Sequence, residues 1–217
     1  MFDEGVYTLA EVAQYTGVNA KTLQAWFMPR PDGKGAGPVF QSDFARMKND
    51  YAVSFLNLIE AYVASFFRKN HVKLADIRRT HTILKSMLGV DHPFAHADLS
   101  VGVGKIVLEK AGNERFVEVI SRQLTFPEFA DGLRRLNYNI KTKLAEHWEI
   151  ADGISVSPRV GFGKPVIEQT GVSTLIIANQ YLANGKDAAL VARLFRIPKD
   201  GVEKAFRFEE RLGRIAA

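Results

Sequence analysis

Apolar and polar positions follow a helical period over most of the chain, and one pattern occurs twice, in residues 8–26 and 187–205. In each stretch a small residue lies where two helices would cross, and branched apolar residues precede, fill and follow the turn. The matching pairs are Val12 with Val191, Ala13 with Ala192, Val18 with Ile197 and Leu23 with Val202. This spacing is typical of a helix-turn-helix, whose second helix keeps a polar face that can enter the DNA major groove.

Local signals define the first of these two units. Thr8 is a suitable N-cap, and Glu11 three residues later completes a capping box. We expect the first helix to end at Gly17 and the second to run from an Asn19 cap to about Phe27. The Asp-Gly pair at 32–33 predicts a tight hairpin, with a returning strand at 39–40. A hairpin directly after a recognition helix predicts a wing.

The rest of the chain predicts an α+β, mostly helical protein. Residues 43–69 predict one long helix whose broad apolar face points to a core, with a dimer interface as the alternative. That face contains Phe55, Leu58, Ile59, Tyr62, Val63, Phe66 and Phe67. Further helices are predicted at 74–88, ending at Gly89, at 127 to about 137, at 174–183 and at 199 to about 212. Two strands are expected within 106–120 and short strands within 144–167.

Glycine and proline between 153 and 165 mark the best candidate boundary between domains. We therefore predict three parts. Residues 1–95 form the winged helix-turn-helix with its helical extension, residues 96–157 a central region with a β-hairpin and a helix, and residues 158–217 a C-terminal helix-turn-helix domain.

Composition and charge narrow the function classes. The 217 residues carry a formal net charge of +5, which suits a polyanionic partner without identifying one. There is no cysteine, so disulfides, thiolate metal sites and cysteine nucleophiles are excluded. The N-terminal residues do not form a secretory signal, and no stretch reaches the roughly 20 apolar residues of a membrane span. We expect a cytoplasmic protein.

The candidate DNA-contacting residues lie on the two second helices and the wing. Asn and Gln side chains can pair with adenine, and Lys with guanine or phosphate. The N-terminal candidates are Asn19, Lys21, Thr22, Gln24, Arg30 and Lys34. Asn19 can equally act only as a helix cap and the others as solvated surface, while Trp26 and Phe27 are expected in the core.

The C-terminal candidates are Lys199, Lys204 and Arg207. Four carboxylates on the same helix oppose them, because a phosphate-facing helix rich in acids would repel its ligand. These acids are Asp200, Glu203, Glu209 and Glu210. The C-terminal unit can therefore contact DNA, serve dimerisation or bind a partner protein, and the residues leave these roles open.

Catalytic and metal chemistry find no support. His92 and His96 have the spacing of a helical zinc pair, but Pro93 opposes a helix there, so we predict no metal site. The glycines around Lys105 lack the full phosphate-loop spacing. No nucleophile-elbow pattern is present. We expect neither an enzyme nor a bound cofactor.

Two family resemblances add to this interpretation. Tyr7-Thr-Leu-Ala-Glu-Val-Ala, Thr16-Gly-Val and the segment through Phe40 resemble the winged helix-turn-helix of MerR-type regulators, over about the first 45 residues. Prolines at 29, 31 and 38 depart from that family's wing.

The second resemblance is to VapB-type antitoxins. Gly163-Lys-Pro-Val-Ile-Glu-Gln-Thr-Gly-Val and the later Val202-Glu-Lys-Ala are similar to a small antitoxin-like domain. Phe55–Val63, Asp76-Ile-Arg-Arg and Leu88–Phe94 resemble the larger antitoxins that carry it. The resemblance implies an antitoxin that neutralises a PIN-domain ribonuclease toxin and represses its own operon.

Three functions follow as hypotheses. The first is an antitoxin-type repressor, a homodimer on double-stranded operator DNA that also holds a toxin. The second is a MerR-like regulator that senses a small ligand in its middle region and has no toxin partner. The third is an interaction scaffold in which both helix-turn-helix units pack internally.

Overall fold

The computed structural model describes residues 5–29, 37–44, 51–99 and 127–215. They form an α+β, mostly helical protein with two small sheets. The chain divides into two compact units, an N-terminal unit of Val6–Glu146 and a C-terminal unit built mainly from His147–Ala217. The hairpin predicted within 106–120 lies outside the described residues, and the three-part division stays a prediction.

Short strands and five α-helices make up most of the described part of the N-terminal unit. Strand β1 pairs antiparallel with β2, and Tyr7 lies opposite Val53. Strand β3 is the neighbour of β4, within which the chain passes into the C-terminal unit. In chain order the elements are β1 (Tyr7–Thr8), α1 (Leu9–Thr16), α2 (Ala20–Phe27), β2 (Ala52–Val53), α3 (Phe55–Lys69), α4 (Leu74–Leu88), two 3₁₀ turns (Pro93–Ala95 and Ala97–Leu99), α5 (Pro127–Arg134), β3 (Leu136–Tyr138) and β4 (Ala145–Ala151).

Two predicted helices are shorter than the sequence indicated. The helix expected from residue 43 begins only at Phe55, because Ser54 caps it by accepting a hydrogen bond from the Asn57 N–H. The two residues before Ser54 are extended as β2 and pair with β1. The helix expected to reach about 137 ends at Arg134, since the chain continues as strand β3.

The aromatic face of α3 forms the core of the N-terminal unit. Six of its seven predicted residues are buried, and Tyr62 is half-buried. The Phe67 ring lies 5.5 Å from the rings of both Phe94 and Phe129, centroid to centroid. Such aromatic packing contributes beyond the burial of area. The face therefore packs inside its own unit, as the core interpretation predicts.

The C-terminal unit packs three helices against a small antiparallel sheet. The sheet continues from β4 through β5 (Ile154–Val156) to β6 (Val166–Ile167). The helices are α6 (Thr174–Ala183), α7 (Ala188–Phe195) and α8 (Lys199–Arg211), as predicted. Their shared core consists of Ile167, Ile177, Ala188, Val191, Ala192, Ile197, Val202 and Ala205.

Among the residues that the structure describes, none of the helices combines the length and the apolar character needed to cross a bilayer.

Candidate nucleic-acid interface

The two helices of the first predicted helix-turn-helix are formed, with the caps that its local signals predict. The Thr8 Oγ1 accepts a hydrogen bond from the Glu11 N–H at 3.2 Å, and the Glu11 carboxylate accepts one from the Thr8 N–H at 3.0 Å. This reciprocal pair is the predicted capping box. Helix α1 ends at Gly17, whose φ of 71° lies in the left-handed region that favours glycine.

Helix α2 separates a buried face from an exposed polar face. Leu23, Trp26 and Phe27 are buried, which confirms the core prediction for both aromatic residues. Lys21 and Gln24 are exposed on the opposite side of the helix. They are three positions apart in the sequence (i, i+3), so both side chains project from one face of α2. The exposed face of α2 is therefore polar, and its opposite face is buried.

Two other predicted contacts on α2 have different surroundings. The Asn19 Oδ1 accepts a hydrogen bond from the Lys21 N–H at 2.9 Å, so Asn19 is the N-cap of α2. Thr22 is half-buried. The structure thus brings Lys21 and Gln24 together at the surface, while the Asn19 side chain caps the helix.

The predicted wing is described only at its two ends. Arg30 and Lys34 lie outside the described residues. The strand expected at Val39–Phe40 is not formed, and these residues make a bend. Their two N–H groups both donate to the Trp26 carbonyl oxygen, at 2.7 and 3.0 Å, instead of to a neighbouring strand. The bend ties the residues after the wing to the C-terminal end of α2.

The turn of the second predicted helix-turn-helix repeats the backbone conformation of the first. At the position that matches Gly17, Arg196 also adopts a left-handed conformation, with a φ of 54°. Gly17 donates its N–H to the Ala13 carbonyl, and Arg196 donates its N–H to that of Ala192, the matching alanine. The repeated sequence pattern therefore corresponds to a repeated backbone turn.

The polar faces of the two units differ in charge. Continuing the residue matching along the second helices places Asp200 at the position of Lys21 and Glu203 at the position of Gln24. The Asp200 and Glu203 side chains are 67% and 44% exposed. Where α2 presents a cation and an amide, α8 presents two carboxylates.

The basic candidates on α8 have acidic neighbours. The Lys204 Nζ lies 3.1 Å from an Asp152 oxygen and 3.2 Å from an Asp200 oxygen, and these hydrogen bonds raise the Lys204 pKa. Arg207 lies 3.8 Å from Glu203. Lys199 is exposed. Of the three predicted contacts, two are paired with carboxylates of their own unit.

Behind the first helix-turn-helix lies a cluster of four titratable side chains, here called the buried charge cluster: Asp43, Glu60, His81 and His92. One Glu60 oxygen lies 2.8 Å from the His81 Nε2 and the other 3.1 Å from the His92 Nδ1. The second ring nitrogen of His92 lies 3.1 Å from an Asp43 oxygen. The Glu60 side chain is 1% exposed.

This cluster was not predicted from the sequence, although the chain contains two signals of it. Glu60 is an acid within an otherwise apolar stretch, and His81 belongs to the apolar face of α4. His92 and His96, the two histidines with the spacing of a zinc pair, have separate contacts. His92 lies between two carboxylates, whereas the His96 Nδ1 accepts a hydrogen bond from the Asp98 N–H at 3.3 Å.

A cavity of about 270 Å³ opens beside the cluster. Its lining is almost entirely polar or charged, and it includes two carboxylates and three basic side chains. The lining residues are Gln41, Ser42, Asp43, His81, Lys85, Asp91 and His92.

The cluster shifts the pKa values of Asp43, Glu60 and His92. Burial alone would lower the pKa of His92, but hydrogen bonds to Asp43 and Glu60 outweigh it and raise this pKa to about 10. Burial would raise the pKa values of Asp43 and Glu60, yet hydrogen bonds from the histidines and Ser54 hold both below their ordinary values. At neutral pH an imidazolium therefore lies between two carboxylates.

Stability should depend on pH through this imidazolium. Because the His92 pKa is raised, its contribution is fully present below about pH 6.5, the unfolded value, and is lost as the pH rises through about 10. The contributions of Asp43 and Glu60 are present above their unfolded values and are lost as the pH falls below about 4. Urea unfolding between pH 6.5 and 10 should show a steady decline for the wild type and a flatter profile for His92→Gln. Parallel profiles would contradict the assignment.

The chain is similar in sequence and in structure to proteins of Mycobacterium tuberculosis. A protein of Mycobacterium tuberculosis (strain ATCC 25618 / H37Rv) named "Putative antitoxin VapB45" is 26% identical over 198 residues, which cover 79% of this chain and 80% of that protein. The crystal structure of Rv2018 from Mycobacterium tuberculosis superimposes with a TM-score of 0.73 at 25% identity. That match covers 92% of this chain and 96% of the other. No protein-family profile matches the chain. The chain is thus antitoxin-like over most of its length.

Proposed function

We propose that this protein is an antitoxin that represses its own operon through α2 and neutralises a PIN-domain ribonuclease toxin. The similarity to a protein named as an antitoxin supports the antitoxin role. The observation that carries the DNA-binding part is the exposed polar face of α2, with Lys21 and Gln24 on a capped helix whose other face is buried.

The chemistry of that face suits a DNA major groove. A Gln side chain can donate to and accept from adenine at once, and a Lys ammonium can bind guanine acceptors or a phosphate. Asn19 holds the first turn of α2 in place, so the base-reading role falls to Lys21 and Gln24. Arg30 and Lys34 would add phosphate contacts from the wing.

The C-terminal unit has a different proposed role. Its carboxylates at 200 and 203 would face the phosphates if α8 entered a groove as α2 does, and like charges repel. We therefore propose that this unit serves assembly or toxin binding, and that Lys199, Lys204 and Arg207 contribute little to operator affinity. Two copies of the chain would place two α2 helices on the two halves of an operator.

Co-expression with the product of the neighbouring gene tests the proposal, which predicts that this product is a PIN-domain ribonuclease. We expect the two proteins to purify as a complex, the complex to lack ribonuclease activity, and operator affinity to fall steeply as salt increases. A ribonuclease that stays active and unbound in the presence of this protein would contradict the antitoxin role. An operator that binds no better than unrelated DNA would contradict the repressor role.

The cavity beside the buried charge cluster favours one second candidate, a ligand-responsive regulator without a toxin. Its volume of about 270 Å³ lies just below the usual range of ligand pockets, roughly 300–1,000 Å³. The same co-purification separates the two functions, because a regulator of this kind would leave the ribonuclease unbound.

A further inference from the structure

We propose that Asp43 is a positioning residue for operator recognition, which holds residues 39–43 beneath the C-terminal end of α2 through His92 and Glu60. This inference rests on the proposed DNA-binding function. The Asp43 side chain is not part of the proposed DNA-facing surface of α2.

The end of α2 depends on residues 39–43. The Trp26 carbonyl accepts both N–H groups of the bend at Val39 and Phe40. The Phe40 ring lies 6.1 Å from the Trp26 ring and 5.4 Å from the Phe27 ring. A displacement of the bend would therefore move the buried side of α2, and with it the direction in which Lys21 and Gln24 project.

The buried charge cluster contacts residues 39–43 at two places. At one end the Asp43 carboxylate pairs with His92 and accepts a hydrogen bond from the Ser54 hydroxyl. At the other end the His81 ring lies 5.2 Å from the Phe40 ring, nearly edge to face. Glu60 joins the two histidines from inside the core. One connected set of side chains thus contacts the segment at both Phe40 and Asp43.

Backbone contacts also hold residues 39–43, but they do not pair with the charge on His92. The Asn57 side chain binds the Gln41 carbonyl at 3.1 Å and the Asp43 N–H at 3.2 Å. Neither bond neutralises the His92 imidazolium, which lies between Asp43 and the fully enclosed Glu60. Two further charged groups face the cluster across the cavity, Lys85 and Asp91, and they pair with each other at 2.8 Å. Asp43 is therefore the carboxylate that ties the imidazolium to the segment beneath α2.

The position of Asp43 makes this role testable without damage to the core. Its side chain is 33% exposed and lines the cavity, so a substitution can be solvated. Asp91 offers a matched control, because it lines the same cavity and is paired with Lys85, and its interaction with Asp43 and His92 is only a longer-range electrostatic one. Asp43→Asn and Asp91→Asn change the net charge equally.

The experiment measures the affinities of full-length wild type, Asp43→Asn and Asp91→Asn for operator DNA and for a scrambled duplex, at several salt concentrations. Active fractions come from stoichiometric titration. We expect Asp43→Asn to lose roughly tenfold in operator affinity, comparable to the loss of one base contact, with unchanged affinity for scrambled DNA. Its salt dependence should stay that of the wild type, because no phosphate contact is lost. Asp91→Asn should match the wild type.

A second measurement separates positioning from loss of folded protein. If Asp43 acts through α2, its effect should shrink in a Gln24→Ala background, since neighbours that act through one element are not additive. Asp43→Glu, which keeps the charge, should retain most of the operator preference. Should Asp43→Asn fail to fold, Asp43→Ser is measured in its place.

Each outcome decides between the alternatives. An Asp43→Asn variant that binds the operator like wild type, or that loses operator and scrambled affinity equally, would overturn the inference alone. A wild-type protein without operator preference would overturn the proposed repressor function and the inference with it.

Discussion

Glu60→Gln is expected to lower the free energy of unfolding by about 3–5 kcal/mol, the usual cost of removing one partner from a buried ion pair. Glu60 is almost completely buried, and its two oxygens face His81 and His92. A neutral amide of the same shape leaves the His92 imidazolium with only one carboxylate, that of Asp43, which is 33% exposed. Chemical denaturation at pH 7 measures the difference.

Two variants show whether charge, and not shape, causes the loss. Asp91→Asn removes a carboxylate that is 79% exposed from its pair with Lys85, and its free energy of unfolding should stay close to that of the wild type, because solvent screens exposed ion pairs. Combining Glu60→Gln with His92→Gln removes the uncompensated charge together with its partner. This double variant should lose less than the sum of the single variants. A Glu60→Gln protein as stable as wild type would show that the cluster contributes little.

The double variant Lys21→Ala, Gln24→Ala is expected to lose operator binding by about 100-fold or more, because each good base contact contributes roughly 1–3 kcal/mol. Both side chains are exposed, so the free energy of unfolding should stay within about 0.5 kcal/mol of wild type. Only one cation is removed, so the slope of log affinity against log salt should fall by about 1. Titration of operator DNA at two salt concentrations measures both effects.

A matched control removes the same residue types elsewhere. Lys141 and Gln180 are exposed and lie outside the helix-turn-helix units' second helices, so Lys141→Ala, Gln180→Ala changes the net charge equally. It should bind the operator like wild type. A third variant, Lys199→Ala with Arg207→Ala, tests the C-terminal unit, and we expect little change. If the Lys21, Gln24 variant binds like wild type, the assignment of α2 as the recognition helix is wrong.

Sequence signals predicted those parts of the fold that depend on neighbouring residues. The capping box at Thr8, the left-handed turn at Gly17 and the Asn19 cap all act over four residues or fewer, and the structure confirms each of them. The repeated helix-turn-helix pattern is similarly local. Its helical period places the apolar residues on one side of α2 and the polar residues on the other.

Predictions failed where distant contacts compete with local preference. The helical period from residue 43 onward favoured a single long helix, but strand pairing with Tyr7–Thr8 keeps Ala52–Val53 extended. The expected wing strand at Val39–Phe40 is likewise replaced by hydrogen bonds to Trp26. In both cases the partner lies more than ten residues away, and short-range patterns contain no information about it.

By itself the sequence determined where the helix-turn-helix units begin and turn, and which side of α2 is polar, because caps, turns and helical period are local properties of the chain. Only the tertiary structure decided that Glu60 and two histidines meet inside the core and that Asp43 joins them from the bend behind α2. Burying a carboxylate is favourable only when opposite charges surround it, and those charges come from segments up to about fifty residues apart, brought together by packing.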